Sequence, residues 1–153
     1  MQNLTAMTPE QIPACAALMV SAYAAPPWSE GYETAEIMGY LEKFLHHPDR
    51  IALVWTEDQC VCGLALGIRI PWMEADYLHL EDFCTWPQKQ GIGSRFLAAL
   101  KEYVRSHGMD SIILGTVRDF PACSFYQKNH FQLLKDSVSL YCPLIEEGKE
   151  FRV

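Results

Sequence analysis

Gln88-Lys89-Gln90-Gly91-Ile92-Gly93-Ser94-Arg95-Phe96-Leu97-Ala98-Ala99-Leu100 changes character partway: a polar, glycine-containing turn gives way to residues of helical period. From Gly91 on, Ile92, Phe96, Leu97, Leu100, Tyr103 and Val104 fall on one side of a helix, and Lys101, Glu102 and Arg105 on the other. Gly108 marks the helix end. Before the turn, Tyr77 to Thr85 reads as a strand; after the helix, Ser111-Ile112-Ile113-Leu114-Gly115-Thr116-Val117 reads as another. A strand, loop, helix and strand unit therefore occupies the middle of the chain, and the fold class follows as α+β.

The flanks agree with that class. Thr8-Pro9-Glu10-Gln11 offers an N-cap hydroxyl, a first-turn proline and a glutamine three residues on, which predicts a helix to about Ala24 with Ile12, Leu18, Met19 and Tyr23 on its apolar face. The prolines and glycine of Ala25-Pro26-Pro27-Trp28-Ser29-Glu30-Gly31 mark a loop, and a second helix is expected from about Thr34 to His46, with Pro48 beyond it. Ile51-Ala52-Leu53-Val54-Trp55 and Val61 to Ile68 are apolar runs separated by Glu57-Asp58-Gln59, as in a hairpin with a buried face. Pro121 to Asn129 reads as a short helix, and Phe131 to Leu144 as one or two final strands. With no repeats or low-complexity tracts, residues 1–153 read as a single domain.

Composition narrows function. Lys plus Arg number 12 against 19 Asp plus Glu, a formal charge of -7, which opposes binding to nucleic-acid phosphates and favours a cationic partner. No stretch approaches the roughly 18 apolar residues of a membrane span, and Met1-Gln2-Asn3-Leu4-Thr5 lacks a signal peptide's order, so a cytoplasmic protein without membrane contact is expected. Cys15, Cys60, Cys62, Cys84, Cys123 and Cys142 are then expected as reduced thiols. Cys60-Val61-Cys62 has one residue between its thiols, and His46, His47, His79 and His107 match no ligand spacing, so no metal is expected.

A glycine turn entering a helix can hold a phosphate, because helix N-termini present unpaired N–H groups and partial positive charge. Gly91 and Gly93 permit close backbone approach, and Lys89 and Arg95 add charge. The turn is neither a nucleotide P-loop nor a complete dinucleotide fingerprint. On its own, such a turn is more often a tight connection than a phosphate site.

Three features in order resemble the GNAT superfamily of acyl-CoA N-acyltransferases. Gln88-Lys89-Gln90-Gly91-Ile92-Gly93 is similar to its (Gln or Arg)-x-x-Gly-x-(Gly or Ala) pyrophosphate signature. The helix opening at Ser94 and the strand ending at Val117 follow as in that family. Asp119-Phe120-Pro121-Ala122-Cys123-Ser124-Phe125-Tyr126-Gln127-Lys128-Asn129-His130-Phe131 is similar to its Asn-x-x-Ala-x-x-Phe-Tyr-x-Lys-x-Gly-Phe helix. The loop between Pro87 and Gly91 is about two residues shorter than in many relatives; counting back from the helix makes Gln88 the signature glutamine, and counting forward from Pro87 makes it Gln90. His130 and Asp119 replace a usual Gly and Asn, His130 at a helix end that often takes positive φ.

The resemblance implies a central mixed, mostly antiparallel sheet flanked by helices, and acetyl transfer from acetyl-CoA to a primary amine. It implies that Phe83, Cys84 and Thr85 present backbone N–H groups to the pantetheine arm and thioester. Gln88, Lys89, Gln90, Gly91, Ile92, Gly93 and Ser94 would hold the pyrophosphate, and Asp119, Ser124, Phe125 and Lys128 would complete the coenzyme site. Tyr126 is the implied proton donor to the thiolate, and Glu81 the implied base; strand alternation sends Asp82 to the other face unless a bulge intervenes. A thiol at Cys84 raises a covalent acyl-enzyme, but no His follows at a recognisable triad position, so buried packing is expected. Trp28, Tyr32, Glu33 and Trp72 are the expected acceptor contacts, aromatics and a carboxylate suited to a small cationic amine. A protein amine, another acyl group, or a coenzyme A-binding module without turnover are the alternatives. A homodimer is a further expectation, since final strands in such folds often pair between subunits.

Overall fold

The structure, a computed structural model, describes residues 1–144. They fall into two compact units, Met1–Leu114 and the chain from Gly115 on.

The first unit is built on a five-stranded sheet of order β1 (Gln2–Ala6), β2 (Arg50–Glu57), β3 (Cys60–Ile70), β4 (Asp76–Thr85) and β5 (Met109–Leu114). Neighbours pair antiparallel except β4 with β5, which pair parallel. The sheet is therefore mixed and mostly antiparallel, as expected. The parallel pair requires a crossover, and α3 (Ile92–Ser106) supplies it. On one face lie α1 (Ile12–Ala24), entered through a 3-10 turn at Pro9–Gln11, and α2 (Thr34–Leu45). The Gln11 side chain accepts the Thr8 N–H at 2.9 Å, completing the start that the sequence signalled.

Strand alternation separates two apolar layers. Ala52, Val54, Leu64, Leu66 and Cys84 join Ile12, Cys15, Ala16, Met19, Ile37 and Leu41 in the core beneath α1 and α2. Trp55 and Phe83 instead stack on Phe96 of α3, with ring centroids 5.9 and 4.8 Å apart. Gly63 makes that layer possible, because a Cβ there would lie 2.6 Å from the Phe96 ring.

In the second unit, α4 (Pro121–Lys128) starts on Pro121. It ends in a Schellman motif: the Phe131 N–H donates to the Tyr126 carbonyl at 3.0 Å and the His130 N–H to the Gln127 carbonyl at 3.1 Å. His130 occupies the left-handed position at φ 69, as expected of a residue standing where glycine is usual. The Tyr126 and Phe131 rings, 5.3 Å apart, supply the apolar contact that accompanies this cap.

One element was not read from the sequence, and two expectations need correction. Gln2–Ala6 forms β1, a short edge strand whose polar residues gave no alternation to read. Phe131 to Leu144 contains no strand among the described residues. A turn closed by the Ser137 N–H on the Leu134 carbonyl interrupts it, and Val138 and Leu140 are exposed; strand propensity without a paired neighbour does not make a strand. The strand expected at Ser111–Val117 runs from Met109 to Leu114, ending where its partner on β4 reaches Leu80.

Candidate active site

β4 changes partners midway. From Asp76 to Leu80 it pairs with both β3 and β5, but the ladder to β5 ends at Leu80↔Leu114 while that to β3 continues to Thr85. On β3, Leu66 pairs with Asp82 and Gly67 with Leu80, so Glu81 is the extra residue of a β-bulge. Beyond it, the side of β4 that faced β5 has no strand partner among the described residues. Gly67 admits the bulge: a Cβ there would lie 2.8 Å from the His79 carbonyl oxygen.

The bulge also re-aims side chains. Alternation alone sends Glu81 and Asp82 apart, yet both act on one α2 residue. Tyr40 donates to Asp82 Oδ2 at 2.6 Å and lies in the field of Glu81. Tyr23 of α1 donates to the other oxygen of Asp82 at 2.9 Å. Desolvation, followed by the charge and hydrogen bond of Asp82 and the charge of Glu81, pushes the Tyr40 phenol well above the ordinary range. Glu81 is paired in turn with His79, Oε1 lying 2.8 Å from Nδ1.

Around Tyr23 the expected acceptor aromatics gather edge to face, Trp28 at 6.0 Å and Tyr32 at 6.1 Å between centroids. Glu33 is the N-cap of α2, where its carbonyl accepts from Glu36 and Ile37. Trp72 lies instead in the β3–β4 connection, 62 % exposed, with its backbone hydrogen-bonded to the Asp76 carboxylate. It is at the other end of β4 from Glu81.

Cys84 faces the α1–α2 core, 6 % exposed. Burial first, then the charges of Asp82 and Cys15, push its thiol far above the ordinary range, so the sulfur is a packing group that stays protonated. Phe83 packs on α3, and Thr85 pairs with Gly63 on β3.

The turn into α3 is exposed from Gln88 to Gly91, with positive φ at Lys89 (64) and Gly91 (72). The Arg95 N–H is bound to the Gly91 carbonyl, so the amides of Ile92, Gly93 and Ser94 precede the helix's own ladder, as anion-binding amides do. Arg95 does not add free charge to this turn. Its guanidinium grips Glu57 on β2 through Nε and Nη2 at 2.9 and 3.0 Å, and Nη1 holds the Gln90 carbonyl at 3.1 Å. The Arg95 hydrogen bond, then that of Trp55, holds the Glu57 carboxyl below its usual range.

In the second unit, Asp119 lies in the turn before α4, Ser124, Phe125, Tyr126 and Lys128 lie on the helix, and the Tyr126 ring is flanked by Phe125 at 5.3 Å. Tyr40 and His79 are the residues of this cluster that sequence reasoning did not place. The signal for His79 was its spacing: His-x-Glu on a strand puts two side chains on one face.

Among the described residues, no group of three or more His, Cys, Asp or Glu is placed to hold a metal, and no helix is long and apolar enough to cross a membrane.

The family model described as "Acetyltransferase (GNAT) family" matches residues 15–131. A GNAT family acetyltransferase from Staphylococcus aureus superposes with a TM-score of 0.72 at 15% identity, over 92% of this chain and 98% of the other. An aminoglycoside acetyltransferase from an uncultured soil metagenomic sample, solved with sisomicin, gives a TM-score of 0.72 at 15% identity over 94% and 97%. A protein described as a transcriptional regulator from Bacillus halodurans gives 0.73 at 16% identity over 93% and 100%. A comparison with curated proteins finds no match.

Proposed function

The chain belongs to the acetyltransferase (GNAT) family, and from that premise we propose that it transfers an acetyl group from acetyl-CoA to a primary amine of a small cationic molecule. The observation that carries the reading is the opening of β4 away from β5 after Leu80, in the same unit as the glycine turn into α3. The residues present fit the coenzyme. Main-chain N–H groups of Phe83 to Thr85 take the pantetheine arm and thioester oxygen, and those of Ile92 to Ser94 take the pyrophosphate, with Gln88, Lys89 and Gln90 beside them. Acetyl-CoA supplies the activated acyl group as a thioester.

The chain's own residues then handle protons. An ammonium must lose one before its nitrogen can attack, and Glu81 drives that loss. Tyr126, whose phenolic O–H is a donor, supplies a proton to the departing sulfur. The Asp82 carboxylate fixes the Tyr23 hydroxyl, around which Trp28 and Tyr32 present aromatic surface to a cation. The metagenomic relative bound to sisomicin supports a polyamine-like or aminoglycoside-like acceptor.

A second reading, a coenzyme A-binding module without turnover, is favoured by one observation: Glu57 already neutralises Arg95 at the shortened turn. Calorimetry of acetyl-CoA binding, followed by free-thiol release with sisomicin, spermidine and a lysine peptide, separates the two. Thiol release that falls about 100-fold in Tyr126→Phe supports transfer. Binding without release supports the module, and no binding defeats both.

A further inference from the structure

Glu81 is not alone at the bulge. Its Oε1 lies 2.8 Å from Nδ1 of His79, two residues earlier on the same strand. An ionised carboxylate can only accept a hydrogen bond, so the proton between them resides on Nδ1 and the neutral ring carries its lone pair on Nε2. The pair is 41 % and 46 % exposed, so the ring is open to solvent and to a solute. Its register partners on β3 and β5 are apolar, Ile68 and Ile113. Among the described residues, the charged and titratable groups tied to this cluster are Glu81, Asp82 and the buried Cys84 of β4, Tyr40 of α2 and Tyr23 of α1. Asp82 already accepts from both tyrosines, one to each oxygen, which makes it a tie between α1, α2 and the bulge. Tyr40 cannot serve as a base, since its phenol holds its proton well beyond the neutral range. Among these groups, His79 Nε2 is a nitrogen lone pair on a ring that is open to solvent and oriented by a carboxylate.

We propose that His79 Nε2 takes the proton of the acceptor ammonium, and that Glu81 acts through it as the positioning residue that fixes the ring and stabilises the imidazolium. This rests on the reading of the protein as an amine acetyltransferase and names the atom that receives the proton. The amine N–H bond breaks and an Nε2–H bond forms, leaving the nitrogen lone pair free to attack the thioester carbonyl. The imidazolium then returns its proton to water. No electrons are exchanged, and no further reactant is needed. A carboxylate alone is a weak acceptor for an ammonium proton, whereas an imidazole oriented by a carboxylate is matched to neutral pH.

The test is the pH dependence of free-thiol release with acetyl-CoA and the amines sisomicin, spermidine and a lysine peptide, in the wild type, His79→Gln, His79→Ala and Glu81→Gln. The wild type should lose rate toward acid pH, because a protonated ring cannot accept. His79→Gln should fall about 100-fold at pH 7 and lose that limb, with the KM for acetyl-CoA unchanged, and added imidazole should restore rate to His79→Ala. Glu81→Gln should move the limb to lower pH, since removing the carboxylate makes the imidazolium easier to discharge. His79→Gln with the wild-type rate and profile, beside a slow Glu81→Gln, overturns the assignment and leaves Glu81 as the direct base. Wild-type behaviour in both variants removes Glu81 from the reaction as well. A wild type that releases no thiol with any of the amines defeats the acetyltransferase reading itself, and this assignment with it.

Discussion

The two halves of β4 make different use of one strand. Asp76 to Leu80 is paired on both sides, and Leu78 and Leu80 are buried at 0% and 4% exposure. Glu81 to Thr85 is paired on one side only, carries two carboxylates, and turns them toward helices through one extra residue. The first half holds the sheet together and sets His79 beside Glu81, and the second lacks a strand on the β5 side. The bulge opposite Gly67 divides them. A site on the open half gains precision from the closed half, because the register that fixes Glu81 is set by the fully paired residues before it.

Substitutions on the two sides should therefore have different consequences. Leu78→Ala leaves a cavity in the closed half and should cost about 2–5 kcal/mol in urea unfolding, with unchanged acetyl-CoA affinity where the protein remains folded. Lost affinity at full folding would break the division. Gly67→Ala places a Cβ 2.8 Å from the His79 carbonyl oxygen and 2.4 Å from Leu78 Cδ1; it should cost about 1–3 kcal/mol and, by disturbing the bulge, slow catalysis too. A variant as stable and active as wild type would show that the bulge does not need a glycine opposite it.

On the open half, Tyr40→Phe removes one hydrogen bond to Asp82 from a side chain that is 37% exposed, and should cost about 1 kcal/mol or less in thermal unfolding. The folded phenol's proton is held above its unfolded range, so this contribution is present below about pH 10 and lost as pH rises through the higher folded range. The smallest effect belongs to Glu57→Gln. The Glu57 carboxyl is lowered by Arg95, so its contribution exists above the unfolded carboxylate range and disappears as pH falls through the folded one. A small loss in Tm at pH 7 that shrinks as pH falls through the folded carboxyl's range is expected; a loss that stays constant down to acid unfolding would show that Arg95 does not need the charge.

What was legible in the sequence follows the range of the interaction concerned. α3 and its glycine turn were readable because helical period and a left-handed glycine are local features, and Gly91 does take φ 72. The short α4 helix was readable for the same reason, and the family resemblance added the positive φ at His130. β1 was not, because Gln2 to Ala6 owes its strand to pairing with Leu53 to Glu57. The bulge depends on register with β3, and the ties from Tyr23 and Tyr40 to Asp82 span 59 and 42 residues. The family resemblance named Glu81, and alternation allowed for a bulge; only the cross-strand register located it. Arg95 was read as phosphate-facing charge, but its partner Glu57 lies 38 residues away. The run from Phe131 to Leu144 has strand-like composition without a strand partner among the described residues.

The most direct test of the central claim is to follow backbone amide resonances as acetyl-CoA is added to the uniformly labelled protein. The account predicts the largest shifts at Phe83 to Thr85, on the open half of β4, and at Ile92 to Ser94, with Asp76 to Leu80 nearly still. An absence of shifts, or shifts confined to residues outside these two stretches, would contradict it.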